Sequence, residues 1–327
     1  MTTPVPVRFA ALVLAREDEG LLEPCARNLR RIGFDHVEVI CVEEFHTATA
    51  GLKTRFADDP GIGVTAAPTQ ITDPAAVLMS GPIIGPLLAR HPAEWLLVID
   101  CDEFPVVDGG RIDDIADLDT ADAVVIPRYN YARRAGEDRD PILARMNRLD
   151  DVPLITERSN MMAARKSKGT PRWSLHAIGP KLMLRPSRFG ALTAGGHGTA
   201  EYRGPGDAPV QIETRHMLIA HFPFTSYERF HQKVVNARAH LNLSDLHKKP
   251  GSAWHWKWWI ERLDQDGLAD EYRREAFDDT EYAAGLDTGA IRLPAQIFPG
   301  PDPVAADDGR QSVAAESTSS GLPGGSS

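Results

Sequence analysis

Trp95-Leu96-Leu97-Val98-Ile99-Asp100-Cys101-Asp102-Glu103-Phe104 joins an unbroken apolar run to three carboxylates within four positions. The run is short, rich in branched residues and lacks polar alternation. It reads as a strand buried on both faces, the signature of a parallel sheet covered by helices on each side. Open α/β sheets bind ligands at the carboxyl ends of their strands, and that is where the carboxylates emerge. Their mutual repulsion is relieved by a cation. Hard divalent ions take carboxylate oxygens and share them with substrate phosphates, so the segment points to chemistry on a nucleotide or phosphorylated donor. A solvated acidic turn after a core strand is the bland alternative.

The surrounding pattern supports an α/β sandwich. Arg8 to Ala15 reads as a first strand. Gly20 to Ile32 carries Leu21, Leu22, Cys25, Leu29 and Ile32 at helical spacing, and Gly33 is placed to end that helix. His36 to Val42 is a second strand, completing a strand–helix–strand unit. A weaker helix is expected over 44–57, a third strand over 61–66, and a helix over 75–90 broken or kinked by Gly81, Pro82, Gly85 and Pro86. Ala121 to Pro127, Lys181 to Arg185 and Met217 to Phe222 read as further strands. Arg128 to Gly179 looks irregular and is expected to form long loops rather than a second core. Ser226 to Leu243 and the tryptophan-rich segment Ser252 to Leu263 read as helices. The fold class is therefore α/β: a Rossmann-like three-layer sandwich with a mostly parallel central sheet and C-terminal helices.

The 327 residues suffice for one large domain or a core domain with an appendage. A net charge of −10 argues against a nucleic-acid binder, which needs a basic face. Cys25, Cys41 and Cys101 form no pair motif and read as buried thiols of a reducing compartment. No stretch approaches the roughly 18 apolar residues of a membrane span. Met1 to Val7 lacks a signal-peptide pattern. A cytoplasmic protein is expected, with peripheral docking at a membrane left open.

Several segments together resemble glycosyltransferases related to family 2, close to the family 92 branch. "WLLVIDCDEF" is similar to that group's Trp-x-x-x-x-Asp-x-Asp-Glu-Phe signature. Arg16-Glu17-Asp18-Glu19 stands where the group has a Lys-Asn-Glu-like segment, and Gly33-Phe34-Asp35-His36-Val37 matches its second-strand entry. "PKLMLRPS" resembles its Lys-x-x-x-Arg-Pro strand. "HFPFTSYERFHQKV" resembles its late His-Tyr-x-x-x-Ser-x-x-x-Phe-x-x-Lys segment, with Phe222 replacing Tyr. The pieces span roughly 8–240 in the family's order.

The resemblance implies a GT-A fold binding a nucleotide-sugar, with Mn²⁺ or Mg²⁺ held through the Asp-x-Asp. Asp102 would be the direct metal ligand, and Asp100 would lie near the ribose or a metal-bound water. A late histidine often completes such sites, which nominates His221, and an imidazole beside carboxylates suits Mn²⁺. A packed core histidine is the alternative. Arg16, Glu17 and Lys181 are candidates for nucleotide-sugar contacts, as are Arg185 and Lys233. Where the family's second strand often ends in Asp-Asn, this chain has Val42-Glu43-Glu44. Glu43 either contacts the base or ribose or caps the next helix. An inverting transfer needs a general base, for which Glu201 is the weak candidate beside Glu213 and His197. The cluster Trp254 to Trp259 stacks on sugars or else packs in the core or a homodimer contact.

Residues 1–245 are thus expected to form the transferase domain, 246–299 a helical extension and 300–327 a disordered tail. The expected partners are a nucleotide-sugar donor and an acceptor hydroxyl on a glycan, lipid or small molecule, with no nucleic acid. Two rivals share the fold: a sugar-1-phosphate nucleotidyltransferase and a non-catalytic nucleotide- or carbohydrate-binding protein. The acidic Arg16-Glu17-Asp18-Glu19-Gly20 lacks the glycine-rich basic loop that grips a triphosphate.

Overall fold

A strand with no polar face must be covered on both sides, and the run at 95–99 is. The computed structural model describes residues 4–15, 19–41, 49–67, 78–157, 172–193, 196–203, 208–243 and 254–299. Its first elements are β1 (Val7–Ala15), α1 (Glu19–Ile32), β2 (His36–Cys41), α2 (Thr49–Arg55), β3 (Ile62–Ala66), α3 (Ile84–Arg90) and β4 (Ala93–Asp100). Trp95, Leu97 and Ile99 of β4 pack into one cluster with Leu21, Leu22, Cys25 and Leu29 of α1. Leu96 and Val98 face the opposite cluster with Ile84 and Leu87 of α3. The alternation predicted from strand geometry therefore serves two cores, one above and one below the sheet. Gly33 ends α1 at φ +114°, a conformation that side chains rarely adopt.

Further along come β5 (Glu103–Val107), β6 (Ala123–Ile126), β7 (Arg128–Asn130), α4 (Arg139–Met146), β8 (Leu154–Ile155), β9 (Lys181–Leu184), β10 (Phe189–Leu192), β11 (Thr199–Tyr202), β12 (Gln211–Glu213) and β13 (Met217–His221). The main sheet has the order β12-β6-β9-β4-β1-β2-β3, with β4 at its centre. β1 pairs in parallel with β2 and β4, β2 with β3, and β6 with β12. Only β9 runs antiparallel to its neighbours, β4 and β6. The α/β sandwich with a mostly parallel central sheet is thus the fold of this chain.

A second sheet, β5-β13-β7, continues directly from β4 through the turn at Cys101-Asp102. The C-terminal elements are α5 (Tyr227–Leu243), α6 (Trp254–Asp264), α7 (Leu268–Arg274), α8 (Asp279–Thr288) and β14 (Ile291–Arg292). Phe224, Phe230, Val234, Trp259, Leu268 and Tyr272 form their shared core. β14 returns to pair with β8, which ties the 246–299 segment to the middle of the chain.

Two sequence expectations change. The helix expected over 75–90 is confined to α3, after a turn at Ser80 to Ile83. Gly81-Pro82 interrupts the path, whereas Pro86 lies in the first turn of α3, where no backbone donor is required. Residues 75–77 lie outside the described set. Residues 128–157 are not loops throughout: β7, α4 and β8 lie between irregular stretches, and Ile142, Met146, Leu149, Val152 and Leu154 are buried in the main core. Their short elements show neither clear period, so the sequence hid them. The tail expected at 300–327 lies outside the described residues. No helix among those described is long and apolar enough to cross a membrane.

Leu97 is fully buried on the central strand. Leu97→Ala is expected to cost about 3 kcal/mol of stability, from lost transfer energy plus a cavity. Urea unfolding checks this.

Candidate active site

The site is built where β4 leaves the main sheet. Asp100 is the last residue of β4, Cys101-Asp102 is the turn, and Glu103 opens β5 in the second sheet. Register then lines up three residues across that sheet: Glu103 opposite His221 on β13, and His221 opposite Asn130 on β7. The carbonyl of Asp102 accepts the Phe222 amide at 2.8 Å, locking the turn to the end of β13.

Asp102 is 2% exposed. Its Oδ2 accepts Arg229 Nη2 at 2.7 Å and Lys233 Nζ at 2.9 Å. Both cations come from the start of α5, four residues apart and so on one helical face. Ser226 Oγ accepts the Arg229 amide at 3.1 Å, capping that helix, and Phe230 anchors it in the C-terminal core. The Ser-x-x-x-Phe-x-x-Lys spacing thus places a cap, an anchor and a site cation. Arg229 is further fixed by the carbonyls of Phe222 and Pro223. Burial works against the Asp102 carboxylate, but Lys233 and then Arg229 outweigh it and hold its pKa well below the usual range.

His221 is buried, and burial drives its pKa well below the ordinary histidine value despite Asp102 nearby. The Asn130 amide orientation is set by its Nδ2 donating to the Ser174 carbonyl at 2.9 Å. Asn130 Oδ1 must then accept from His221 Nδ1, at 2.7 Å. The neutral ring therefore carries its lone pair on Nε2, which faces Asp102 Oδ2 at 3.7 Å.

Glu103 is completely buried. It accepts the Asp100 amide at 2.9 Å, Lys181 Nζ at 2.9 Å and Arg128 Nη1. Lys181 also reaches Asp100 Oδ2 at 3.1 Å. Burial alone would discharge Lys181, but Asp100 and Glu103 hold its pKa above the ordinary lysine value. Burial pushes Glu103 up against the pull of Lys181 and Arg128.

The structure brings together Asp100, Asp102, Lys181, Lys233 and His221 of the residues nominated from sequence. Arg185 does not join them. β9 runs antiparallel to β4, so Lys181 meets the carboxyl end of β4 while Arg185, about 13 Å further along the chain, lies near its start. There Arg185 binds the carbonyls of Leu118 and Ala121 and stacks on Trp95. A shared strand face is not a shared site. Glu213 lies on the edge strand β12, three strands from β4. His197 Nδ1 bonds the Pro180 carbonyl at 2.8 Å, and burial pushes its pKa down to about 4. Glu201 is on β11, in the separate β10-β11 hairpin, and its side chain is outside the described set. Arg16, Glu17 and Glu43 also lie outside the described residues. Sequence reasoning gave no role to Arg128, Asn130 or Arg229, and took Glu103 only as one of three carboxylates that would attract a cation. Glu103 was visible within the quoted motif, and Arg229 precedes Lys233 by one helical turn. Arg128 and Asn130 were masked by the irregular pattern of their segment.

Among the described residues, four cations (Arg128, Lys181, Arg229, Lys233) contact three carboxylates (Asp100, Asp102, Glu103). No cluster of three or more His, Cys, Asp or Glu placed to hold a metal occurs among the described residues. Asp102 Oδ2 and His221 Nε2 nevertheless form an acceptor pair with no proton between them, and their donor types fit a divalent ion.

No protein-family model matches this chain, and no curated protein matches its sequence. Among solved structures it is similar to 4-diphosphocytidyl-2C-methyl-D-erythritol synthase from Anaerococcus prevotii DSM 20548, at 12% identity and TM-score 0.29, covering 55% of this chain and 70% of that one. It is also similar to HddC from Yersinia pseudotuberculosis, at 11% identity and TM-score 0.29, covering 40% and 64%. A manganese complex of Rv0371C from Mycobacterium tuberculosis H37Rv matches at 16% identity and TM-score 0.24, covering 38% and 66%. At these scores the likenesses assign neither fold nor function.

Acid should unfold the protein through its neutral histidines. Burial lowers His221 and, with His176 and Lys233, takes His255 from 6.5 to about 3. Both bind protons more readily when unfolded, so their contribution is whole above pH 6.5 and is lost as pH falls through the folded values. Melting temperature is expected to drop on acidification below that point, and less so in His255→Asn, as read by scanning calorimetry. Separately, Glu103→Ala removes the partner of two buried cations and is expected to cost about 3–5 kcal/mol in urea unfolding.

Proposed function

We propose that this chain is a GT-A-type glycosyltransferase of the family 2-like group, moving a sugar from a nucleoside-diphosphate donor to an acceptor hydroxyl. The observation that carries this reading is the cation cluster around the Asp100-Cys101-Asp102-Glu103 turn at the carboxyl edge of the central strand. Breaking the bond from sugar to diphosphate builds negative charge on the departing oxygens. Lys233 and Arg229, fixed before the reaction, stabilise that charge without reorganising. Lys181 and Asp100, joined at 3.1 Å, line the same edge, with Asp100 half-exposed and able to accept a ribose hydroxyl. The family-order motifs at 95–104, 180–187 and 221–234 support the same reading.

Asp102 and His221, with Asp100 beside them, are the residues that would hold Mn²⁺ or Mg²⁺. Bound there, the ion would act as a Lewis acid toward the diphosphate. Arg229 and Lys233 already balance Asp102, so the ion and Lys233 compete for one carboxylate. Inversion at the sugar carbon requires a base on the acceptor side, and Glu201 remains the candidate. Nucleotidyl transfer is the second reading, because preoriented cations such as Lys233 serve a triphosphate equally well. The two differ in product: a glycosyltransferase releases nucleoside diphosphate from a nucleotide-sugar, whereas a nucleotidyltransferase releases pyrophosphate from a triphosphate and a sugar 1-phosphate.

Titration calorimetry with UDP and GDP, with and without Mn²⁺, tests the reading. Asp102→Asn is expected to lose metal-dependent binding and about 3 kcal/mol of stability, since Arg229 keeps its buried charge. Lys233→Met, at a partly exposed position, should stay folded, weaken the diphosphate about tenfold and tighten Mn²⁺. Unchanged nucleotide binding in both variants would remove the site from the mechanism.

A further inference from the structure

Glu275 is buried just after α7, and the proposed transfer gives it no task. Its two carboxylate oxygens each accept one amide at 2.8 Å, Trp173 on Oε1 and Ser174 on Oε2. Both amides belong to the short helical turn Trp173–Leu175. Burial pushes the Glu275 pKa up, and the two amides pull it back. A carboxylate committed in this way to loop backbone fixes where that loop sits.

The turn in its place touches His221 by two routes. The Ser174 carbonyl accepts Asn130 Nδ2 at 2.9 Å, and Asn130 Oδ1 accepts His221 Nδ1 at 2.7 Å. The Trp173 ring meets the His221 ring edge-on, with centroids 5.9 Å apart. Asn130 is buried, so bulk water does not compete for its amide. Strand register supports the side chains. Asn130 stands opposite His221 on β7 and β13, and the Tyr131 amide donates to the His221 carbonyl at 2.9 Å.

These bonds compete with Asp102 for the ring proton. A neutral imidazole carries one such proton, and a carboxylate attracts it. Asp102 Oδ2 lies 3.7 Å from His221 Nε2 and would draw the proton to that side. Asn130 Oδ1, an acceptor already at hydrogen-bond distance, keeps it on Nδ1. A flipped amide would set carbonyl against carbonyl at Ser174, so the Ser174 contact decides which atom of Asn130 faces the ring. We infer that Asn130 and Glu275 are positioning residues for His221. Glu275 fixes the 173–175 turn, the turn orients the Asn130 amide, and the amide holds the ring as the Nδ1–H tautomer with Nε2 left to Asp102. The inference rests on reading Asp102 and His221 as residues for a divalent ion, because a ligating nitrogen must keep its lone pair.

Proton–nitrogen correlation NMR of the metal-free full chain tests it, with His221→Gln used to assign the His221 signals. At neutral pH the wild type should show Nδ1 protonated and Nε2 bare. Asn130→Leu removes the acceptor. It should move the proton to Nε2 and weaken Mn²⁺ binding, read by titration calorimetry, about tenfold. Asn130→Asp keeps an oxygen facing Nδ1 and should keep that nitrogen protonated, although both variants lower the melting temperature. An asparagine that only supports the fold would change stability in both and the tautomer in neither. Glu275→Gln leaves one acceptor for two amides. It should shift part of the proton population to Nε2 and add nothing in an Asn130→Leu background. Asn130→Ser serves if Asn130→Leu does not fold. A wild-type ring protonated on Nε2, or a folded variant lacking the acceptor with the wild-type tautomer, overturns the inference, and an unaltered His221 signal in Glu275→Gln overturns the part given to Glu275. If the tautomer responds to Asn130 but the wild type binds no Mn²⁺, the metal reading falls and the positioning role stands.

Discussion

The buried carboxylate of Asp102 is the point through which three parts of the molecule are joined. It lies in the turn that carries the chain out of the main sheet and into the second one. Its carbonyl takes the amide that follows β13, and its side chain takes Arg229 and Lys233 from α5. A buried charge of this kind is tolerated only when paired, so the turn, β13 and α5 must assemble together. Sheet edge, histidine and cationic helix are fixed relative to one another by that requirement.

The same requirement shapes what the site can do. Arg229 and Lys233 are already oriented by the Asp102 carboxylate, and in the proposed reaction they would stabilise an anion without reorganising. Glu103 performs the companion task behind the turn. It binds the Asp100 amide while holding Lys181 and Arg128, so that a second pair of cations is buried without being left unbalanced. The neutral His221 directs its Nε2 lone pair at Asp102.

Much of the fold was legible because it is local. The strand–helix–strand start and the apolar run at 95–99 carry their periodicity in consecutive residues, and both appear where expected. That Asp100, Asp102 and Lys181 come together was legible because Asp100 ends β4, Asp102 lies in the turn that follows and Lys181 begins β9. Arg185 misled because periodicity reports which face a residue occupies and not which end of the sheet. Only the antiparallel pairing of β9 with β4 separates it from Lys181. Arg128, Asn130 and Glu275 act across 25, 91 and 101 residues of sequence. No pattern within a window could have joined them to their partners.

Crystals grown with Mn²⁺ and UDP, measured at the manganese absorption edge, test the account most directly. The anomalous peak should fall between Asp102 and His221, with the diphosphate against it and within reach of Lys233. Manganese and diphosphate bound away from the Asp100–Glu103 turn, with Arg229 and Lys233 still closed on Asp102, would contradict it.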